Sequence, residues 1–127
     1  MDEWKGKKIE CIAMVSARCA MRNVEQIEKL EKRQEAYIRK YAKAHRVKIV
    51  GVLHGCGQGQ YEINKRFDKA MELVRKGRVG GVITINMRMI STDLVDAYNK
   101  VGKVRTLGGE MITVDEGRLC LNIRRKV

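Results

Sequence analysis

The sequence predicts an α/β domain, a three-layer sandwich in which a mostly parallel sheet of four or five strands carries helices on both faces. Three observations lead there. Short apolar runs rich in valine and isoleucine recur at 9–15, 47–53, 79–86 and 110–114. Longer stretches with helical spacing separate them, so strand and helix alternate. The connections are short, and successive strands joined through helices run parallel.

With 127 residues, the chain is long enough for one compact domain over 1–127 and one core. Hydrophobic residues make up 44% and charged residues 33%, a globular composition rather than a disordered one. Every apolar run is shorter than a membrane span, and no signal-peptide pattern opens the chain, so the expected location is cytoplasmic, away from membranes. Cys11, Cys19, Cys56 and Cys120 form no C-x-x-C pair and have no matching histidine spacing. Free thiols in a reducing compartment are expected, with no metal and no cofactor.

Residues 1–8 form a polar, basic lead-in around Trp4. The run 9–15 is a buried strand that stops at Ser16, followed by a loop with Arg18 and Arg22. A hydroxyl at a strand's carboxyl end, beside positive charge, suits attack on a phosphate; capping of a turn is the simpler reading of the same residue. Asn23, with Gln26 three residues on, starts a helix over 23–44 whose inward face is Ile27, Leu30, Tyr37, Ile38 and Tyr41, interrupted by Gln34.

A second strand over 47–53 runs into the glycine-rich loop 55–60, which lacks the Gly-Lys-Ser/Thr of a nucleotide P-loop. His54 and His45 are the only histidines and form no nucleophile–base pair on spacing. Ile63, Phe67, Ala70, Met71 and Val74 mark one face of a helix over 62–76, closed by Gly77. The third strand spans 79–86. A third helix follows the loop 87–91, capped by Ser91 or Thr92, with Leu94, Val95, Tyr98 and Val101 inward. The fourth strand is 110–114, and 118–123 makes a short edge strand after the turn Asp115-Glu116-Gly117. In such a sheet the ends of the first three strands lie along one edge, where Ser16, the glycine loop and Arg88 converge.

The net charge is +12, from 27 Lys and Arg against 15 Asp and Glu. That excess favours polyanionic partners, nucleic acid first. Aromatic residues are only 5%, which disfavours binding of unpaired strands by base stacking and leaves duplex backbone contact as the expected mode.

The ordered motifs resemble the catalytic domain of the serine recombinases, the resolvase and invertase family. In that family a first strand ends in Tyr-x-Arg-Val-Ser-Thr, and here Ile12-Ala13-Met14-Val15-Ser16-Ala17 stands at that place. QEAYIRKYA at 34–42 matches the first helix, and GCGQGQ at 55–60 sits at the family's Asp-x-Gly-x-Ser-Gly loop. FDKAMELVRKG at 67–77 matches the next helix, VITINMRMIS at 82–91 the Asp-Arg-Leu-x-Arg strand end, and GGEMITVD at 108–115 the strand after it. The similarity covers about residues 8–116.

The resemblance implies site-specific recombination of double-stranded DNA, as in DNA integration and mobile genetic elements. Ser16 matches the nucleophile that forms a phosphoserine link, Arg88 the first arginine of the last motif, and Gln34 the glutamine of the first helix. The family's other arginines fall on Met14 and Ser91, its aspartate on Met87, and its Arg-Pro on Asn64-Lys65. Arg18, Arg22, Gln34 and Lys65 are the expected DNA contacts. Family members carry a dimerising helix and a separate DNA-binding region beyond this domain, and neither is expected to be complete before Val127. A homo-oligomer, or a fuller recombinase chain, is the expected protein partner.

The replaced arginines favour a catalytically impaired domain, since each preorganised donor lost costs on the order of 100-fold in rate. An active strand-cleaving domain working through Ser16 is the alternative within the family. A small α/β protein binding a nucleotide or another anion at the glycine loop is the alternative outside it.

Overall fold

The computed structural model describes residues 8–16, 24–54 and 59–119. In chain order the elements are β1 (Ile9–Val15), α1 (Val24–Ala44), β2 (Val47–His54), α2 (Gln60–Arg75) and β3 (Gly81–Thr84), followed by a 3₁₀ turn (Met87–Met89). Then come α3 (Leu94–Thr106), β4 (Glu110–Thr113) and β5 (Gly117–Leu119). The strands form one sheet in the order β2-β1-β3-β4-β5, parallel except for β5 at the edge. The expected α/β sandwich is the fold observed.

Alternation along β1 builds two cores. Cys11, Ala13 and Val15 face Ile38 and Ala42 of α1. Ile12 and Met14 face the other way, onto Ile63, Phe67 and Val74 of α2 and Val101 and Val104 of α3. This division follows from right-handed crossovers: β1 to β2 moves one way across the sheet, β2 to β3 and β3 to β4 the other way, so α1 covers one face and α2 with α3 the opposite one. The inward face expected for 62–76 is kept, with all five residues anticipated on α2 buried, whereas 47–53, expected as a buried strand, is an edge strand in which Val47 alone is buried.

Two helical faces differ from expectation. On α1, Tyr37 is exposed, and Glu31 is buried on the face given to apolar residues. On α3, Leu94, Val95 and Tyr98 are 68%, 68% and 54% exposed, whereas Ala97, Lys100, Val101 and Val104 are buried. The cap of α3 is Asp93, whose carboxylate accepts from Val95 N–H and Asp96 N–H; Ser91 Oγ in turn accepts from Asp93 N–H. The third strand is shorter than 79–86, but its hydrogen bonding runs on at both ends, through Gly80 N–H to the Glu10 carbonyl and Asp115 N–H to the Ile85 carbonyl. The edge strand starts at Gly117 and is described as far as Leu119; 120–123 lie outside the described residues.

Glycine is required where strands come closest. A Cβ on Gly81 would lie 2.4 Å from the Glu110 carbonyl oxygen, a backbone atom that cannot give way, whereas one on Gly51 would meet only the movable Ile12 Cδ1, at 2.9 Å. Gly51 sits at a bulge, where the pairing of β1 with β2 slips between Cys11 and Ile12. Cys11 is fully buried, and burial pushes its thiol up to about 12, so it packs as an inert small hydrophobe. No described helix is long and apolar enough to cross a membrane.

Candidate functional site

In a sheet of this order, the direction of winding reverses between β1 and β3, and the crevice at their carboxyl ends is where such folds bind ligands. Ser16, the first residue after β1, stands at that point. Its backbone is held from both sides by one side chain. Ser16 N–H donates to Gln34 Oε1 at 2.8 Å, and Gln34 Nε2 donates to the Ser16 carbonyl at 2.8 Å. Gln34 can do this because it lies between Glu31 and Ile38 on the sheet-facing side of α1, one helical turn from each. From the other flank, buried Thr84 Oγ1 donates to the Met14 carbonyl at 2.8 Å, tying β3 to the last turn of β1.

The serine side chain itself is shut in. Ser16 is 4% exposed, and its Oγ has no hydrogen-bond partner among the described residues. It lines a cavity of about 10 Å³, enough for one water molecule, with Met14, Val15, Leu53, Ile63, Arg66 and Met89. An unpaired buried hydroxyl costs about 1–3 kcal/mol.

Arg66 is the cationic side chain among the described residues of this lining. Its Nε donates to the His54 carbonyl at the end of β2, at 3.0 Å, and its Nη1 lies 3.7 Å from Glu62. Arg66 stands here in place of its neighbour Lys65, the expected contact. The signal was present, because Arg66 follows Ile63 by three positions and adjoins Phe67, which puts it at the margin of the buried stripe of α2. Lys65 points elsewhere, with Nζ 5.2 Å from the Tyr61 ring centre.

The 3₁₀ turn after β3 brings Met89, rather than Arg88, to the cavity. Arg88 is exposed, and its N–H donates to Asn86 Oδ1 at 3.0 Å. Beside the serine, at the end of β2, His54 Nδ1 is 2.9 Å from Oε1 of buried Glu31, a pair that residue spacing did not suggest. Arg18, Arg22 and 55–58 of the glycine loop lie outside the described residues. The structure therefore brings together Ser16, Gln34 and Arg66, while Lys65 and the side chain of Arg88 are not part of that lining.

No protein-family model matches the sequence, and no curated protein matches it. Solved structures do. A resolvase family site-specific recombinase from Streptococcus pneumoniae superposes with a TM-score of 0.70 at 17% identity, over 87% of this chain and 74% of that one. The C-terminal catalytic domain of ISC1926 TnpA, an IS607-like serine recombinase, gives 0.65 at 22% identity, over 84% and 67%. The N-terminal catalytic domain of TP901-1 integrase gives 0.71 at 13% identity, over 85% and 79%. Strand order, layer arrangement and these superpositions agree: the chain has the fold of the serine recombinase catalytic domains.

Proposed function

We propose that the chain is a divergent serine-recombinase domain that associates with duplex DNA in site-specific recombination, with Ser16 in the nucleophile's place and strand cleavage severely impaired. The observation that carries this reading is Ser16 itself, fixed by Gln34 at the switch point of the sheet with its hydroxyl left unpaired. A buried hydroxyl without a partner is a cost that a purely structural position sheds by becoming alanine. The net charge of +12 supports a polyanionic partner, and the fold supports recombination as the setting.

Impairment follows from the surroundings. Transesterification at phosphorus needs the serine proton removed and negative charge on the non-bridging oxygens stabilised by fixed donors. Here Met14 and Met89 stand beside the hydroxyl, and the guanidinium of Arg66 is committed to the His54 carbonyl. Each missing donor costs on the order of 100-fold, so the absence of two leaves about one ten-thousandth of the rate. A phosphate cannot enter a cavity the size of one water, so even binding in register requires Met89 and Arg66 to move. The domain acts, in this reading, as a DNA-associated partner within a homo-oligomer or beside an active recombinase chain in the cytoplasm.

The test is covalent trapping on a nicked duplex, with Ser16→Ala as control. The expected result is salt-dependent duplex binding, equal in both proteins, with no protein–DNA adduct. An adduct that forms with the native chain and disappears with Ser16→Ala would establish the active reading instead. Absence of duplex binding even at low salt would remove the recombinase reading.

A further inference from the structure

The face of the sheet covered by α1 alone leaves an open cleft at the end of the molecule away from Ser16. The other face carries two helices, but here the single helix lies over β1 and β2, and the sheet continues past it to β5. The cleft is about 470 Å³ and is lined by Tyr41, His45, Arg46, Ile112 and Arg118. That volume is within the range of small-ligand sites. Arg46 precedes β2 and Ser16 follows β1, so the two ends are separated by about seven residues of strand, roughly 20 Å.

Three features of the cleft go together. Arg46 and Arg118 approach from opposite walls, one after the last turn of α1 and the other opposite Ile112 on the edge strand. Among the described residues neither guanidinium is paired with a carboxylate, and both are exposed. In the same lining Tyr41 and His45 stack, with ring centres 4.0 Å apart and planes 17° from parallel. The outer His45 ring is exposed, and the Tyr41 hydroxyl approaches Gly117.

Arg46 also holds a left-handed backbone, with φ of 60°, the one non-glycine residue so placed among those described. That position after a helix is ordinarily glycine or asparagine, and a branched-off side chain there is disfavoured. An arginine in that backbone position, beside a second arginine without a carboxylate partner among the described residues and a stacked aromatic pair, fits a ligand that supplies both negative charge and a flat ring. The carbonyl end of α1 opposes an anion with about half a charge, which two full guanidinium charges outweigh.

We infer that this cleft binds a base-bearing phosphate, with Arg46 and Arg118 on the phosphate oxygens and the base laid on His45 as a third ring of the stack. The phosphate is presented by a free mononucleotide or by an unpaired nucleic-acid strand; a duplex keeps its bases stacked and offers only the phosphate. The site is separate from Ser16 and does not depend on recombinase activity.

The experiment titrates the native chain with inorganic phosphate, AMP, a short single-stranded oligonucleotide and the same sequence as duplex, following the NMR resonances of Tyr41, His45 and Gly117. AMP or the single strand is expected to shift all three and to bind at least about tenfold more tightly than inorganic phosphate, because a stacked base adds that much. Comparable binding of AMP and the strand marks a nucleotide site, and a clear preference for the strand marks a nucleic-acid site. Arg46→Gly and Arg118→Gln are each expected to weaken binding about tenfold or more. Arg46→Gly keeps the fold, since glycine relieves the left-handed backbone and raises the melting temperature; Arg46→Asn is a second variant tolerant of that backbone. Ser16→Ala is expected to leave the titration unchanged, so failure here does not bear on Ser16. The proposal is overturned if none of the probes moves these resonances, if inorganic phosphate binds as tightly as AMP, or if the folded double variant binds like the native chain.

Discussion

Substitutions at Ser16 and Gln34 are expected to affect stability differently, and the contrast tests whether the serine hydroxyl serves the fold. Ser16 Oγ is buried without a partner, so Ser16→Ala removes an unpaid desolvation and is expected to leave stability unchanged or raise it by about 1 kcal/mol. Gln34→Ala removes two hydrogen bonds to the Ser16 backbone and strands the groups they satisfied, which costs about 2 kcal/mol or more. Urea denaturation of both variants, with unchanged slope, measures the difference. A loss from Ser16→Ala comparable to that from Gln34→Ala would mean that the hydroxyl serves the fold. Both residues were legible in the sequence, Ser16 from the abrupt end of an apolar run and Gln34 as the one polar interruption of an inward face. Arg66 was not, because a cation in a helix with many charges reads as solvated, and only the packing of Ile63 and Phe67 shows that its stem borders the buried stripe.

At the scale of elements, α3 shows where periodicity alone misleads. Leu94, Val95 and Tyr98 outscore Ala97, Lys100 and Val104 in hydrophobicity, yet the smaller set is the one that packs. Val104 is drawn in by close packing against Gly109, where an added Cβ would come within 3.2 Å of its Cγ1. Lys100 is buried on the same side because Asp96 pairs with its ammonium, which also lies 5.7 Å from the centre of the Phe67 ring on α2. Hydrogen bonds from Lys100 first, and Ser91 second, hold the Asp96 carboxyl below its ordinary 3.8. A carboxyl with a lowered folded-state pKa contributes stability that is present above the ordinary value and lost as pH falls through the folded one. Asp96→Asn is therefore expected to be less stable than the native chain near neutral pH. The gap between the two should close as pH is lowered below the ordinary 3.8, as read from thermal melts over the acid range. A gap that stays constant with pH would show that the carboxylate charge does not hold Lys100 in place.

For the whole molecule, alternation of strand and helix was readable from the chain, but strand order was not, because nothing local records which side of β1 receives β2 and which receives β3. That order determines the switch point and hence the meaning of Ser16. It also turns the outer face of α1 to solvent, where Lys29, Lys32, Arg33 and Lys40 are exposed. If duplex DNA lies along this face, each phosphate neutralised there releases counterions and adds about 0.9 to the slope of log affinity against log salt. Replacing Lys32, Arg33 and Lys40 by glutamine is expected to weaken duplex binding uniformly across sequences and to lower that slope by up to about 2.7, one increment for each cation that meets a phosphate. Sequence-independent loss distinguishes backbone contact from base reading, which would lose affinity at particular positions only. An unchanged slope would place the DNA-facing charge on another surface. The Ser16 rim, bordered by exposed Arg88 and half-buried Arg66, is then the face to neutralise next, and its effect on the slope would be measurable even where no strand is cut.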